Sequence, residues 1–98
     1  MNKELENTLL SEGYLNLVEK GDKGICGLHR MAFTTGLFIG LDEIGYVGRF
    51  CFHTLREAKE ALEQWDGKKD PPANWIKYKG DGKEYSNPNY EKEISYSN

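Results

Sequence analysis

The chain has 98 residues, with 13 Lys plus Arg against 16 Asp plus Glu for a formal charge of -3, and it contains two Cys. A chain of this length supports one hydrophobic core that buries roughly 65% of its unfolded surface, and two cysteines cannot build a disulfide-dense scaffold. The acidic balance argues against a protein whose main work is neutralising phosphate backbone, and no stretch reaches the ~20 uncharged apolar residues that span a bilayer. Met1-Asn2-Lys3-Glu4-Leu5-Glu6 lacks the basic-then-apolar order of a signal peptide, so a cytoplasmic protein is expected.

Residues 3–12 carry Leu5, Leu9 and Leu10 at helical spacing, with Gly13 placed to stop the helix. Residues 24–53 then hold all four Phe, both Cys, both His and six of the 11 Gly, but only Arg30, Asp42, Glu43 and Arg49 as charges. This neutral, apolar block reads as the buried heart of the fold. Its runs are short and broken by turn residues, which predicts strands over 25–33, 37–41 and 46–53. Gly45 is positioned to supply a positive φ to the turn Asp42-Glu43-Ile44-Gly45, and connections this short force an antiparallel meander. Glycines 27, 40 and 48 inside the strands signal bulges or close backbone approach.

Thr54-Leu55-Arg56-Glu57 fits a capping box, in which the Thr hydroxyl and the Glu carboxylate satisfy orphan backbone donors at a helix start. The helix runs to Trp65 with Leu55, Ala58, Ala61, Leu62 and Trp65 as one apolar stripe, and Gly67 follows as its stop. Asp70-Pro71-Pro72 cannot continue it. Trp75-Ile76-Lys77-Tyr78-Lys79 alternates as a fourth, edge strand, with Ile76 and Tyr78 facing in and Trp75, Lys77 and Lys79 facing out. The expected fold is a small α+β domain over residues 1–80, order α-β-β-β-α-β, followed by a polar tail over 81–98 that is poorly ordered or dependent on a partner.

In the second strand Leu37, Ile39 and Leu41 share one face and Phe38 takes the other, while in the third Phe50 and Phe52 oppose Val47 and Cys51. Both faces of the sheet are apolar, so both need cover. Helix 54–65 covers one, and the N-terminal helix, with only three Leu, is a thin lid for the other. The shortfall points to a protein partner or a homodimer. The plainer reading is that both helices and the Tyr-rich tail close a monomeric core.

Four soft ligands form two close pairs, Cys26 with His29 and Cys51 with His53, and two thiolates with two imidazoles could close a tetrahedral zinc site. Residues three apart on a strand point to opposite faces, so these cysteines read first as small core hydrophobes, and no cofactor is expected. A nucleophilic cysteine would be Cys51, three residues before the capped helix, or Cys26. Cys51 sits between two Phe, however, and no nucleophile-elbow or phosphate-loop motif is present, so no enzyme is expected.

Trp75, Lys77 and Lys79, with Lys68, Lys69 and Lys83 nearby, form the one basic cluster with an aromatic, the ingredients of a sequence-tolerant nucleic-acid site. The helix-meander-helix order resembles, in outline, the double-stranded RNA-binding domain. At the helix start, where that family places a lysine cluster, this chain has Arg56 and Lys59 with Glu57 between them. The first segment is acidic (Glu4, Glu6, Glu12, Glu19 and Asp22), as in a small inhibitor or immunity-type factor that blocks a basic partner. The expectation is a non-enzymatic protein-binding module contacting its partner through Phe38, Trp75, Lys77, Lys79, Tyr85 and Tyr90, with nucleic acid as the alternative and no membrane or small-molecule substrate.

Overall fold

A computed structural model gives the structure of the protein and describes residues 1–78 and 81–89. The fold is α+β. Helix α1 (Lys3–Ser11) leads into β1 (Leu15–Glu19), and a single 3-10 turn over Gly21–Lys23 joins it to β2 (Ile25–Arg30). Strands β3 (Thr35–Ile39) and β4 (Gly48–Phe52), helix α2 (Leu55–Gln64), β5 (Ile76–Tyr78) and β6 (Glu84–Ser86) follow. The six strands form one antiparallel sheet in sequence order, β1 to β6. The expected meander is present as β2–β4, with β1 added on one side and the β5–β6 pair on the other.

Both helices start where local chemistry says they should. Asn2 caps α1, its Oδ1 accepting from the Leu5 N–H at 3.0 Å. The capping box of α2 is complete: the Glu57 N–H donates to Thr54 Oγ1 at 3.1 Å, and the Thr54 N–H donates to Glu57 Oε1 at 3.3 Å. At the far end of α2 the Lys20 ammonium donates to the Trp65 carbonyl at 2.8 Å, so a cation beside β1 satisfies an orphan carbonyl and complements the helix dipole.

The two faces of the sheet are closed by different helices. On one, Ala58, Ala61 and Leu62 of α2 and Trp65 just past its end pack on Cys26, Leu28, Leu37, Phe50 and Phe52, with Val18 and Ile39 at the margin. On the other, Leu9 of α1 packs with Phe38 and Leu41, joined by Leu5, Tyr14, Leu17, Ile25 and Met31. Adjacent residues of one strand serve opposite layers, as Leu37 and Phe38 do, which is the period-2 geometry of a sheet covered twice. Phe38 is therefore not open to a partner. It is 5% exposed beneath α1.

Glycine makes the second layer thin enough for a nine-residue helix to cover. A Cβ at Gly36 would lie 2.6 Å from Phe38 Cε1, and one at Gly27 would lie 2.7 Å from Leu17 Cδ2. The Phe38 ring and the Leu17 side chain therefore lie flat over bare backbone. The Phe38 ring cannot swing away, because Tyr14 meets it edge-on at 5.5 Å and Tyr46 at 4.8 Å.

Two expectations about the chain's second half change. Of the faces assigned to 75–79, Ile76 is buried as expected but Trp75 and Tyr78 are exchanged: Trp75 is 5% exposed, its indole against the Phe50 ring at 4.9 Å and its Nε1–H donating to the Pro71 carbonyl at 3.0 Å, while Tyr78 is 54% exposed. Pairing Cys51 with Ile76 turns Trp75 toward the α2 layer and leaves Ile76 buried on the opposite face. Past residue 80 the chain is not all tail, since Glu84–Ser86 pairs with β5. Lys79, Gly80 and residues 90–98, Tyr90 among them, lie outside the described residues.

Gly36→Ala should lower stability by about 1–3 kcal/mol, the usual cost of forcing an atom into a packed layer. Gly45→Ala, where an added Cβ meets nothing within 4 Å, should stay within about 0.5 kcal/mol of wild type. Urea unfolding midpoints of the two variants check this pair.

Candidate interaction surface

The six residues singled out for contact are not brought together as one exposed patch. Phe38 and Trp75 are core residues of different layers. Lys77 is half-buried with its ammonium 4.6 Å from the centre of the Phe50 ring, a cation–π contact that occupies it within the fold. Tyr85 is half-buried opposite Lys77, and its hydroxyl donates to Asp81 Oδ2 at 2.6 Å, which raises its pKa above that of an ordinary tyrosine. Lys79 and Tyr90 lie outside the described residues. The aromatic-plus-lysine platform read for nucleic acid thus lacks its aromatic, because Trp75 faces inward.

The four soft ligands do not converge either. Cys26 is fully buried in the α2 layer, Cys51 points to the opposite face, and His53 is exposed beyond the end of β4. His29 lies in the second layer with ring nitrogens 2.8 Å from the Arg30 carbonyl and 2.9 Å from the Glu12 carbonyl, so a ring N–H serves as a clasp between β2 and the end of α1. Among the described residues no group of three or more His, Cys, Asp or Glu is arranged to hold a metal ion. Burial pushes the Cys26 thiol up to about 11, partly opposed by Lys20, by a backbone hydrogen bond from Gly40 and by Lys23.

What the surface does present lies at the ends of the β2–β4 meander. The β3–β4 connection, residues 40–47, is a pinned loop. The Gly40 N–H donates to the Lys23 carbonyl at 2.9 Å and the Leu41 N–H to the Ile25 carbonyl at 3.0 Å, while the Val47 N–H donates to the Ile39 carbonyl at 2.9 Å. Inside the loop Asp42 makes an Asx turn: its Oδ1 accepts from the Ile44 and Gly45 N–H groups, both at 2.8 Å, and its own N–H donates to the Gly45 carbonyl at 3.0 Å. Those two N–H donors, Gly45 foremost and then Ile44, hold the Asp42 carboxyl below the usual aspartate value. The positive φ falls at Gly40 (66°) and not at Gly45, because the side-chain acceptor of Asp42 makes the turn without it.

This anchored loop holds Ile44 at 92% and Val47 at 83% exposure, with Tyr46 half in water and half on the Phe38 ring. At the opposite end the β2–β3 hairpin, closed by the Met31 N–H on the Thr34 carbonyl at 2.8 Å, presents Phe33 at 92% exposure. Sequence reasoning placed Phe33 and Val47 inside strands and Ile44 in a turn, and singled out none of the three for contact. The available signal was a β-branched aliphatic set among Asp, Glu and Gly, where turns usually carry polar residues. The surface also carries clefts. One of about 490 Å³ lies between the end of α2 and Pro71-Pro72, and one of about 320 Å³ separates Glu4, Leu5 and Thr8 of α1 from Glu43 of the loop. A third, about 240 Å³, runs between β1 and α2. Among the described residues no helix is long and apolar enough to cross a membrane.

Comparison of the chain with protein-family models, with curated proteins and with solved structures returns no match.

The Cys26 thiol gives a pH test of the buried layer. Its folded value, about 11, lies above its ordinary 9.0, so the folded state holds the proton more tightly. That contribution is whole below pH 9 and is lost as pH rises through about 11. Urea stability should decline over this interval, and Cys26→Ala, less stable at pH 8, should decline with a shallower slope.

Proposed function

We propose that this protein is a non-enzymatic, cytoplasmic protein-binding module that engages its partner through the 40–47 loop. The observation that carries the reading is the combination of order and exposure in that loop. Six backbone or Asx hydrogen bonds fix its path, and it nevertheless holds two large aliphatic side chains almost wholly in water. Burying an Ile or Val side chain against a partner is worth about 1.5–3 kcal/mol. A loop already fixed in its bound shape spends little entropy to collect that gain. Asp42, Glu43 and Tyr46, exposed in the same loop, supply polar groups of the kind found at the rim of a docking site.

A photoreactive residue tests this directly. In cells that make the protein, Ile44→p-benzoylphenylalanine should cross-link to a polypeptide, and Lys59→p-benzoylphenylalanine, also exposed, on α2, should not. An identical adduct pattern from both positions, or none from position 44, contradicts the reading. Ile44→Ser combined with Val47→Ser should abolish the capture while leaving the unfolding free energy within about 0.5 kcal/mol of wild type, since both side chains are exposed.

A further inference from the structure

We infer that His29 is a proton-controlled clasp: as imidazolium it donates from both ring nitrogens and locks the C-terminal end of α1 onto β2, and as neutral imidazole it loses one of those bonds. Its Nδ1 lies 2.8 Å from the Arg30 carbonyl oxygen and its Nε2 lies 2.9 Å from the Glu12 carbonyl oxygen. A carbonyl oxygen can only accept, and a neutral imidazole has a single N–H. Whichever tautomer the neutral ring takes, one nitrogen turns a lone pair on an oxygen. Only the doubly protonated ring satisfies both contacts.

The end of α1 favours the same charge. Glu12 is the C-cap, so its carbonyl is one of the groups left without a partner inside the helix, and it stands at the negative end of the helix dipole. The last turn of α1 holds no basic residue of its own, and His29 brings the cation from β2. Gly13 leaves room for the ring: a Cβ there would lie 2.9 Å from His29 Nε2, and its φ of 101° suits glycine. Tyr14 meets the ring edge-on at 4.9 Å. Burial, with smaller effects of Glu12 and Tyr46, raises the Tyr14 hydroxyl above its ordinary value, so it stays neutral where histidine titrates. Phe38, 6.3 Å away on β3, is uncharged. Of the exposed charges on the two joined segments, the Glu12 carboxylate favours the imidazolium and the Arg30 guanidinium opposes it. On the same face of β4, Cys51 lies two strands from His29, and Arg49 is turned toward the Phe38 ring and Met31. Because the fold favours the charged ring, this contribution to stability is whole in acid and is lost as pH rises through the imidazole range, centred near ~6.5 for a free side chain.

NMR of the full chain tests this, with His29→Gln and His53→Gln as variants. His53, exposed beyond the end of β4, is the control. At about pH 5.5, on the acid side of the imidazole range, the ring-nitrogen spectrum of wild type should show two N–H groups from His29, each slowed in exchange by its carbonyl, and none from His53. The second readout is amide exchange in α1, Gly13 and Tyr14, taken as protection factors so that the intrinsic effect of pH drops out. Protection should be about fivefold to tenfold greater at about pH 5.5 than at about pH 7.5, the worth of one hydrogen bond. His53→Gln should keep that ratio. His29→Gln, whose amide does not titrate, should bring it to about one. Fewer than two ring N–H groups from His29 in acid, a wild-type ratio near one, a ratio that survives His29→Gln, or a ratio lost in His53→Gln overturns the proposal. The ring spectrum and the wild-type ratio decide it even if His29→Gln fails to fold.

Discussion

The structure depends on covering the second face of an apolar sheet with very little material, and Phe38 is the contact through which this is done. Its ring lies over Gly36, takes the edges of Tyr14 and Tyr46, has the Arg49 guanidinium 5.9 Å from its centre, and shares a cluster with Leu9 and Leu41. A short helix with one fully buried leucine cannot supply the apolar area that α2 supplies opposite it. Phe38 makes up the difference from the sheet side, and Gly27 and Gly36 keep the layer shallow enough for α1 to reach it. The His29 clasp to the Glu12 carbonyl then ties the end of the helix to β2.

This closure relocates the functional question. A doubly apolar sheet with one face open would bind its partner on that face. With both faces covered by the chain itself, the most exposed large apolar side chains among the described residues stand at the ends of the meander: Ile44 and Val47 on one connection, Phe33 on another. The same aromatic layer supports the docking loop from below, since Tyr46 bridges from the loop to the Phe38 ring. Fold and proposed contact are thus coupled through one side chain, and the loop is rigid because its base is part of the core.

Where local chemistry is decisive, the sequence was legible. The Thr54–Glu57 capping box, the Ala58, Ala61, Leu62 stripe and the neutral block of three strands are all read from spacing, because caps, helical period and turn punctuation act over a few residues. Strand β1 was not legible: it is five residues long, ends on Glu19, and is interrupted by a register shift with Asn16 at φ 55°. Strand β6 is Glu-Tyr-Ser, with no pattern of its own, and exists because β5 offers it an edge. Trp75 was assigned to water because the alternation of an edge strand with Ile76 and Tyr78 inward puts it on the outer side. The turn through Pro71 to Ala73 instead folds back and accepts its indole N–H. Phe38 was placed on the correct face, but nothing local in the sequence says that Tyr14, His29 and Tyr46 arrive from three segments to enclose it.

The most direct test of this account is native-state hydrogen exchange on Phe38→Ala. If the ring joins the second layer to the sheet, the variant should lose about 3–5 kcal/mol, as buried Phe truncations do. Amides of α1 and of the 40–47 loop should then exchange far sooner than in wild type, while α2 amides keep protection up to the reduced global stability. A loss under about 1 kcal/mol with α1 protection unchanged would contradict the account, because the second face would then be closed by something other than Phe38.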